Sequence, residues 1–224
     1  MKTINIAIDG PAGAGKSSIA KEISSELGFI YVDTGALYRT IALYAQMNHL
    51  HTSQELIDRL DDIEIEMNFI GGTQCISLCG ENVTDDIRTP EISMGASRVS
   101  AIPEVREFLF DLQQQMAHEH NVIMDGRDIG TVVLPNADLK IFLTASADER
   151  ASRRYMELKE KSDCPTYEEI RADIIARDYN DTHRAIAPLK QAEDAILIDT
   201  TDMGFHEVCE EIISLIRKRL DLED

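Results

Sequence analysis

Residues 10–17 of this chain are Gly10, Pro11, Ala12, Gly13, Ala14, Gly15, Lys16 and Ser17. The octet matches the pattern G-x-x-x-x-G-K-[ST], whose glycines let the backbone approach phosphate groups closely. It follows an apolar stretch at 4–9 that predicts a buried strand, and it precedes a helical pattern that runs to Leu27. A strand, a glycine-rich loop and a helix N-terminus together favour the binding of a nucleoside triphosphate.

The polar residues of this loop have separate expected roles. Lys16, expected to face solvent, would reach the β- and γ-phosphates, and the Ser17 hydroxyl would hold Mg²⁺. Backbone N–H groups of the whole loop, with Ser18 included, would surround the phosphates. The alternative is a glycine-rich turn that binds nothing, and the intact motif with both flanks argues against it.

Composition restricts the class of protein. The chain has 224 residues and a formal net charge of −19, which argues against a nucleic-acid polymer or an anionic membrane as partner. No apolar run approaches the length needed to cross a bilayer, so we expect a cytoplasmic protein, and a monomer. The four cysteines are scattered, which favours ordinary thiols over a zinc site or disulfides.

Strands and helices alternate along most of the chain. Five core strands are predicted near 4–9, 29–33, 122–125, 139–143 and 195–199. This pattern predicts an α/β fold with a five-stranded parallel sheet and helices on both faces. A strictly alternating segment with a turn at Gly71-Gly72 predicts an antiparallel hairpin instead, so we expect a β-rich inserted subdomain at about 63–88.

Two predicted strand ends carry recognition residues. Residues 33–39 read Asp-Thr-Gly-Ala-Leu-Tyr-Arg, and Arg127 and Asp128 follow the strand at 122–125. Ligands bind at the carboxyl edge of open α/β sheets, so we expect the positively charged side chains of Arg39 and Arg127 to lie at this edge. The alternative, a helix cap with solvated arginines, loses weight because the placement occurs twice.

Arginines also cluster in two later helical segments. Arg150, Arg153 and Arg154 would share one helix face and form a lid, at about 148–166, over the donor phosphates. Arg177, Asp181 and Arg184 would form a single helical stripe that holds a sugar hydroxyl and a phosphate. Each set could instead be a solvated helix, and the nearby phosphate-binding loop favours the binding interpretation.

Other nucleotide-binding classes fit less well. The strings N-K-x-D and D-x-x-G expected of a GTPase do not occur. Asp125 could hold Mg²⁺, but the Gly-Arg-Asp that follows it suggests anion and hydroxyl recognition instead. A kinase for another small acceptor and an ATPase or regulatory module without an acceptor both remain open.

The combined motifs resemble one family over nearly the whole chain. The phosphate-binding loop, the segments 33–39 and 125–133, and the segment 177–189 are together similar to bacterial cytidylate kinase. The resemblance implies transfer of a phosphoryl group from ATP to CMP or dCMP with Mg²⁺. It also implies a P-loop kinase core in which the inserted subdomain binds the monophosphate.

The resemblance further assigns roles to individual residues. Charge alone predicts that Lys16, Arg127, Arg153, Arg154 and Arg184 act at the transferring phosphoryl group, and the resemblance adds residues that recognise the acceptor. It implies that Thr34, Tyr38, Arg39, Arg127 and Arg184 bind the acceptor. It implies that Ser97, Arg106 and Asp128 contact the cytosine edge, and that Arg177 and Asp181 hold the sugar.

Overall fold

The computed structural model describes residues 3–70, 73–160 and 164–220. Within them lie strands β1 (Asn5–Asp9), β2 (Ile30–Asp33), β3 (Ile65–Ile70), β4 (Thr73–Leu78), β5 (Glu81–Asn82), β6 (Val122–Gly126), β7 (Leu139–Thr144) and β8 (Ile196–Asp199). The α-helices are α1 (Lys16–Leu27), α2 (Thr34–Met47), α3 (Ser53–Ile57), α4 (Pro90–Val99), α5 (Pro103–Glu119), α6 (Ala147–Leu158), α7 (Tyr167–His183) and α8 (Phe205–Leu220). A five-residue π-helix, Ile129–Val133, follows β6.

The main sheet is parallel and has the strand order β2-β6-β1-β7-β8. Its two faces are buried against different helices. Ile8 and Ile123 pack with Ile23 of α1 and Ile212 of α8 on one face. On the other face, Met124 packs in a cluster that includes residues of α5 and of the π-helix. Each such side chain, fully buried, stabilises the fold by about 1.5–3 kcal/mol.

A second sheet, with the antiparallel order β3-β4-β5, lies in the predicted insertion. Ile76 and Leu78 of β4 are buried in a core cluster that also contains Leu37 and Ile41 of α2. The insertion therefore shares a core with the helix that follows β2. The turn predicted at 71–72 lies outside the described residues.

The register of the main sheet brings three carboxylates to one edge. Asp33 of β2 pairs with Asp125 of β6, and Asp9 of β1 pairs with Gly126. All of them stand at the carboxyl ends of their strands. The phosphate-binding loop leaves β1 at the same edge, so the sheet concentrates charge where ligands bind in this architecture.

The five predicted core strands are confirmed to within about one residue at each end. Helix α3 and the π-helix were not predicted. The predicted stripe of Arg177, Asp181 and Arg184 was wrong, because α7 ends at His183 and Arg184 has an extended backbone. No helix in the described part of the chain is long and apolar enough to span a bilayer, and all four cysteines are free.

Candidate active site

The phosphate-binding loop has a backbone that its glycines make possible. Gly10 has φ 150°, and a Cβ there would lie 1.9 Å from the carbonyl oxygen of Leu143. Gly15 has a left-handed conformation and precedes α1 without providing a side-chain cap. The first turn of α1 contains no acidic residue, so its N–H groups and positive dipole end suit an anion.

Lys16 is buried, not solvent-facing as expected from its place in a loop. Its side chain is 5% exposed, and its Nζ donates to the carbonyl oxygen of Pro11 at 2.7 Å. Burial, with a smaller contribution from the positive charge of Arg127, lowers the pKa of Lys16 to about 7. An anionic ligand would oppose both effects, as the carboxylates of Asp125, Asp9 and Asp181 already do.

Ser17 is hydrogen-bonded to Asp125. The sequence interpretation had considered Asp125 as a Mg²⁺ ligand and had favoured another role for its segment. Ser17 Oγ donates to Asp125 Oδ2 at 2.7 Å, and the Tyr31 hydroxyl donates to Oδ1 at 3.2 Å. Burial raises the pKa of Asp125 to about 6, with a smaller contribution from Asp33. No cluster of three or more acidic, His or Cys ligands occurs among the described residues. Hydroxyl and carboxylate oxygens fit Mg²⁺, which takes few protein ligands and completes its shell with phosphates and water.

The junction of β2 and α2 orders the residues expected to bind the acceptor. The Asp33 carboxylate caps α2 through the N–H of Ala36 at 2.9 Å and accepts from Arg39 Nη2 at 2.8 Å. The Thr34 hydroxyl donates to the carbonyl oxygen of Asp125 at 2.7 Å. Among the described residues, few buried side-chain nitrogen or oxygen atoms lack a hydrogen-bond partner, and Arg39 Nε is one of them.

Asp128 forms the centre of a buried group of charges. It is 5% exposed, and its carboxylate pairs with Arg106 through Nη2 and with Arg184 through Nη2 at 3.0 Å. The Arg106 guanidinium also lies over the Tyr38 ring, 5.7 Å from its centroid. Burial lowers the pKa of Arg184, which the Asp128 carboxylate opposes. The fold thus brings Arg106 of α5, Asp128 after β6 and Arg184 after α7 into contact.

Ser97 lines a cavity of about 450 Å³ together with Asp181 and Arg184. The cavity is bounded by α4 on one side and by the end of α7 on the other. This volume lies within the range of small-ligand sites. Ser97 therefore shares this cavity with Arg184, which is paired with Asp128.

Arg127 connects the two halves of the site. Its Nε donates to Asp181 Oδ2 at 2.7 Å. Its charge lowers the pKa of Lys16 and also that of Arg177, whose own burial is the larger cause and to which Arg154 adds. Through Arg127 and Asp181 the end of β6 is therefore joined to α7.

The three arginines of α6 face different partners. Arg150 is buried, makes two hydrogen bonds to the Asp178 carboxylate at 3.0 and 2.6 Å, and donates to the carbonyl oxygen of Ala12 at 3.0 Å. Arg153 donates to Glu149 and to the Thr200 carbonyl oxygen. Arg154 pairs with Glu157 at the surface. The one arginine of this helix that contacts the phosphate-binding loop is thus Arg150, which the candidate site had omitted.

Sequence reasoning undervalued Asp125 and Arg150 and did not identify Asp9. Asp9 accepts from the N–H groups of Ile129 and Gly130 at 2.8 and 2.7 Å. The sequence did contain a signal for Asp9 and Asp125. Each carboxylate lies at the end of a buried apolar strand, at the edge of the sheet where the phosphate-binding loop begins. Arg150 was predicted only as part of the lid, because helical spacing cannot reveal its pairing with Asp178 on another helix.

Comparison with known proteins agrees with this geometry. A family model described as cytidylate kinase matches residues 6–218. A protein named cytidylate kinase from Caldicellulosiruptor bescii is 51% identical over 97% of each chain. Another of that name from Lactobacillus gasseri is 48% identical over 96% of this chain and 95% of the relative.

A solved structure adds evidence about the fold alone. An uncharacterized protein from Eubacterium ventriosum superimposes with a TM-score of 0.51 at 13% identity, over 99% of this chain and 100% of that one. At such low identity the likeness carries no information about substrate or activity.

Proposed function

Since this chain belongs to the cytidylate kinase family, we propose that it transfers the γ-phosphoryl group of ATP to CMP or dCMP. The products are ADP and CDP or dCDP. The proposal includes the candidate residues as they stand in the site, with Lys16 toward the donor and Arg39, Arg127 and Arg184 toward the acceptor phosphate.

The position of Arg127 is the observation that carries the proposal. It follows the end of β6, where Asp125 accepts from Ser17 of the phosphate-binding loop, and its Nε is held by Asp181 of α7, the helix that also carries Arg177. A single guanidinium between a donor loop and a second cationic wall suits two phosphates that must meet. An ATPase without an acceptor has no use for the second wall.

The chemistry asks little of the protein beyond charge and position. A nucleoside monophosphate is already largely dianionic at neutral pH, so its oxygen can attack in line without a general base. The difficulty is that two anions repel each other. Lys16, Arg127 and Arg184 offset that repulsion, and Arg153 and Arg154 would add charge from α6 if this helix closes over the donor.

Mg²⁺ is part of this proposal through the pair Ser17 and Asp125. When bound, it would neutralise charge on the donor phosphates. The Tyr31 hydroxyl holds the Asp125 carboxylate from the other side and so fixes its orientation toward Ser17.

Base selection is assigned to the group around Asp128. A carboxylate accepts hydrogen bonds and does not donate them, so it suits the amino group of cytosine and repels the carbonyl of uracil. Arg106 and Arg184 hold this carboxylate, and Ser97 lines the same cavity as Arg184. Arg177 and Asp181 are left to contact the sugar. We keep the inserted subdomain at 63–88, the lid at 148–166, the monomeric state and the cytoplasmic location as parts of the proposal.

The test is ADP formation from ATP and Mg²⁺ with CMP, dCMP, UMP or no acceptor. We expect rapid turnover with CMP or dCMP, slower turnover with UMP and little ADP without an acceptor. Lys16→Ala protein, purified in parallel, controls for contaminating kinases. Equal ADP formation with and without acceptor would identify an ATPase. If none of CMP, dCMP and UMP is phosphorylated, the proposal is wrong.

A further inference from the structure

The Asp9 carboxylate closes the start of a helix that belongs to another part of the chain. Its Oδ1 accepts from the N–H of Ile129 at 2.8 Å and its Oδ2 from the N–H of Gly130 at 2.7 Å. These are the first two residues of the π-helix Ile129–Val133. The first N–H groups of a helix have no partner inside it, so Asp9 satisfies two of them from β1.

Asp128 occupies the position that normally provides this cap. It directly precedes the π-helix, and aspartate is among the preferred residues at an N-cap. Yet its side chain makes no cap hydrogen bond. Its carboxylate turns instead to Arg106 and Arg184. Asp9 thus caps the π-helix, and Asp128 pairs with the two arginines.

The surroundings of Asp9 show how closely this contact is built. A Cβ at Gly130 would lie 3.3 Å from Asp9 Oδ2 and 3.1 Å from Lys140 Cδ, so glycine allows the helix to approach. Asp9 is itself buried, and this burial, with a smaller contribution from the negative charge of Asp128, raises its pKa to about 6 although the two backbone hydrogen bonds and Lys16 lower it. A carboxylate buried near another carboxylate is unfavourable. Its two backbone hydrogen bonds are the compensation that the structure provides.

We propose that Asp9 is a positioning residue for recognition of the acceptor base, acting through Asp128. By capping the π-helix from β1, it leaves both oxygens of Asp128 to the two arginines and to the ligand. Without Asp9, the Asp128 carboxylate would turn to cap its own helix and would leave the base site. This inference rests on the proposed function for its effect on selectivity, whereas the link between the two carboxylates stands without it.

The experiment is a double-mutant cycle of Asp9→Asn and Asp128→Asn. Its activity readout is the ratio of kcat/KM for CMP to kcat/KM for UMP at saturating ATP. Asp9→Asn keeps one acceptor oxygen and loses the other, so it should lower this ratio by about fivefold, the factor to which one lost hydrogen bond corresponds. In the Asp128→Asn background the same change should leave the ratio unaltered, because the residue through which Asp9 acts is gone.

Two further variants separate positioning from general destabilisation. Thr52→Ala removes a cap of α3, whose Thr52 hydroxyl accepts from the N–H of Glu55, and should leave the ratio unchanged. Gly130→Ala disturbs the contact with Asp9 from the helix side while keeping both carboxylates, and should lower the ratio as Asp9→Asn does. If Asp9→Asn fails to fold, Gly130→Ala tests the same contact in its place.

A second readout does not depend on activity. Urea unfolding of the ligand-free wild type, both single variants and the double variant should give non-additive stabilities. Additive stabilities, or an Asp9→Asn effect on the ratio that persists in the Asp128→Asn background, would overturn the inference. If the wild type does not phosphorylate CMP, the proposed function fails, and the unfolding cycle still decides whether Asp9 acts on Asp128.

Discussion

Asp128→Asn is the substitution whose effects the structure defines best. The carboxylate is 5% exposed and lies between two guanidinium groups, on Arg106 and Arg184, that are also buried. Removing its charge leaves both arginines facing one neutral amide. The loss of one partner from a buried charge pair costs about 3–5 kcal/mol of stability.

The same change should alter selectivity by a calculable amount. A hydrogen bond between a charged acceptor and the amino group of cytosine contributes about 1.5–3 kcal/mol. That is about tenfold to a hundredfold in the ratio of kcat/KM for CMP to that for UMP. The amide can donate as well as accept, so the ratio should narrow because UMP is no longer repelled.

The assay compares CMP and UMP with saturating ATP and Mg²⁺, at a temperature where urea unfolding shows the variant to be folded. Asp181→Asn is the matched control, because Asp181 is also a buried carboxylate paired with an arginine, Arg127, in the same site. It should lower both rates and keep the ratio. If Asp128→Asn also keeps the ratio while both rates fall, the base is read elsewhere, with Ser97 and Arg106 the next candidates.

Three other predictions follow from the charged residues. Lys16→Ala should lower kcat by the equivalent of several kcal/mol while the protein stays folded, because the buried ammonium lacks a full counter-charge; a folded variant with wild-type kcat would remove the loop from the mechanism. The double change Arg153→Ala and Arg154→Ala should lower kcat with little effect on a directly measured Kd for CMP; unchanged turnover would make both arginines ordinary surface residues. Burial raises the pKa of Asp9 from 3.8 to about 6, so its protonation stabilises the native state below about pH 4, and this contribution is lost as the pH rises through about 6. In urea unfolding, the stability of Asp9→Asn should therefore fall below that of wild type by more at about pH 4.5 than at about pH 7.5, and an equal deficit at both would contradict the shift.

Local patterns predicted the parts of this protein that depend on local rules. The loop at 10–17 and the apolar strands could be predicted because glycine geometry and strand periodicity act over a few residues. The antiparallel insertion was recognised for the same reason. The stripe proposed for Arg177, Asp181 and Arg184 failed because nothing in those residues marks the end of α7 at His183.

The sequence by itself determined the fold class and the phosphate-binding loop, and it predicted several of the charged residues at the carboxyl edge of the sheet. Only the tertiary structure decided how these residues are paired. Asp125 meets Ser17, Arg150 meets Asp178, and Asp9 caps a helix 120 residues away. Such pairings depend on strand order and helix packing, which bring distant segments together, whereas periodicity and motif spacing describe only neighbours along the chain. That Asp9 caps the π-helix while Asp128 pairs with two arginines is therefore visible only in the folded chain.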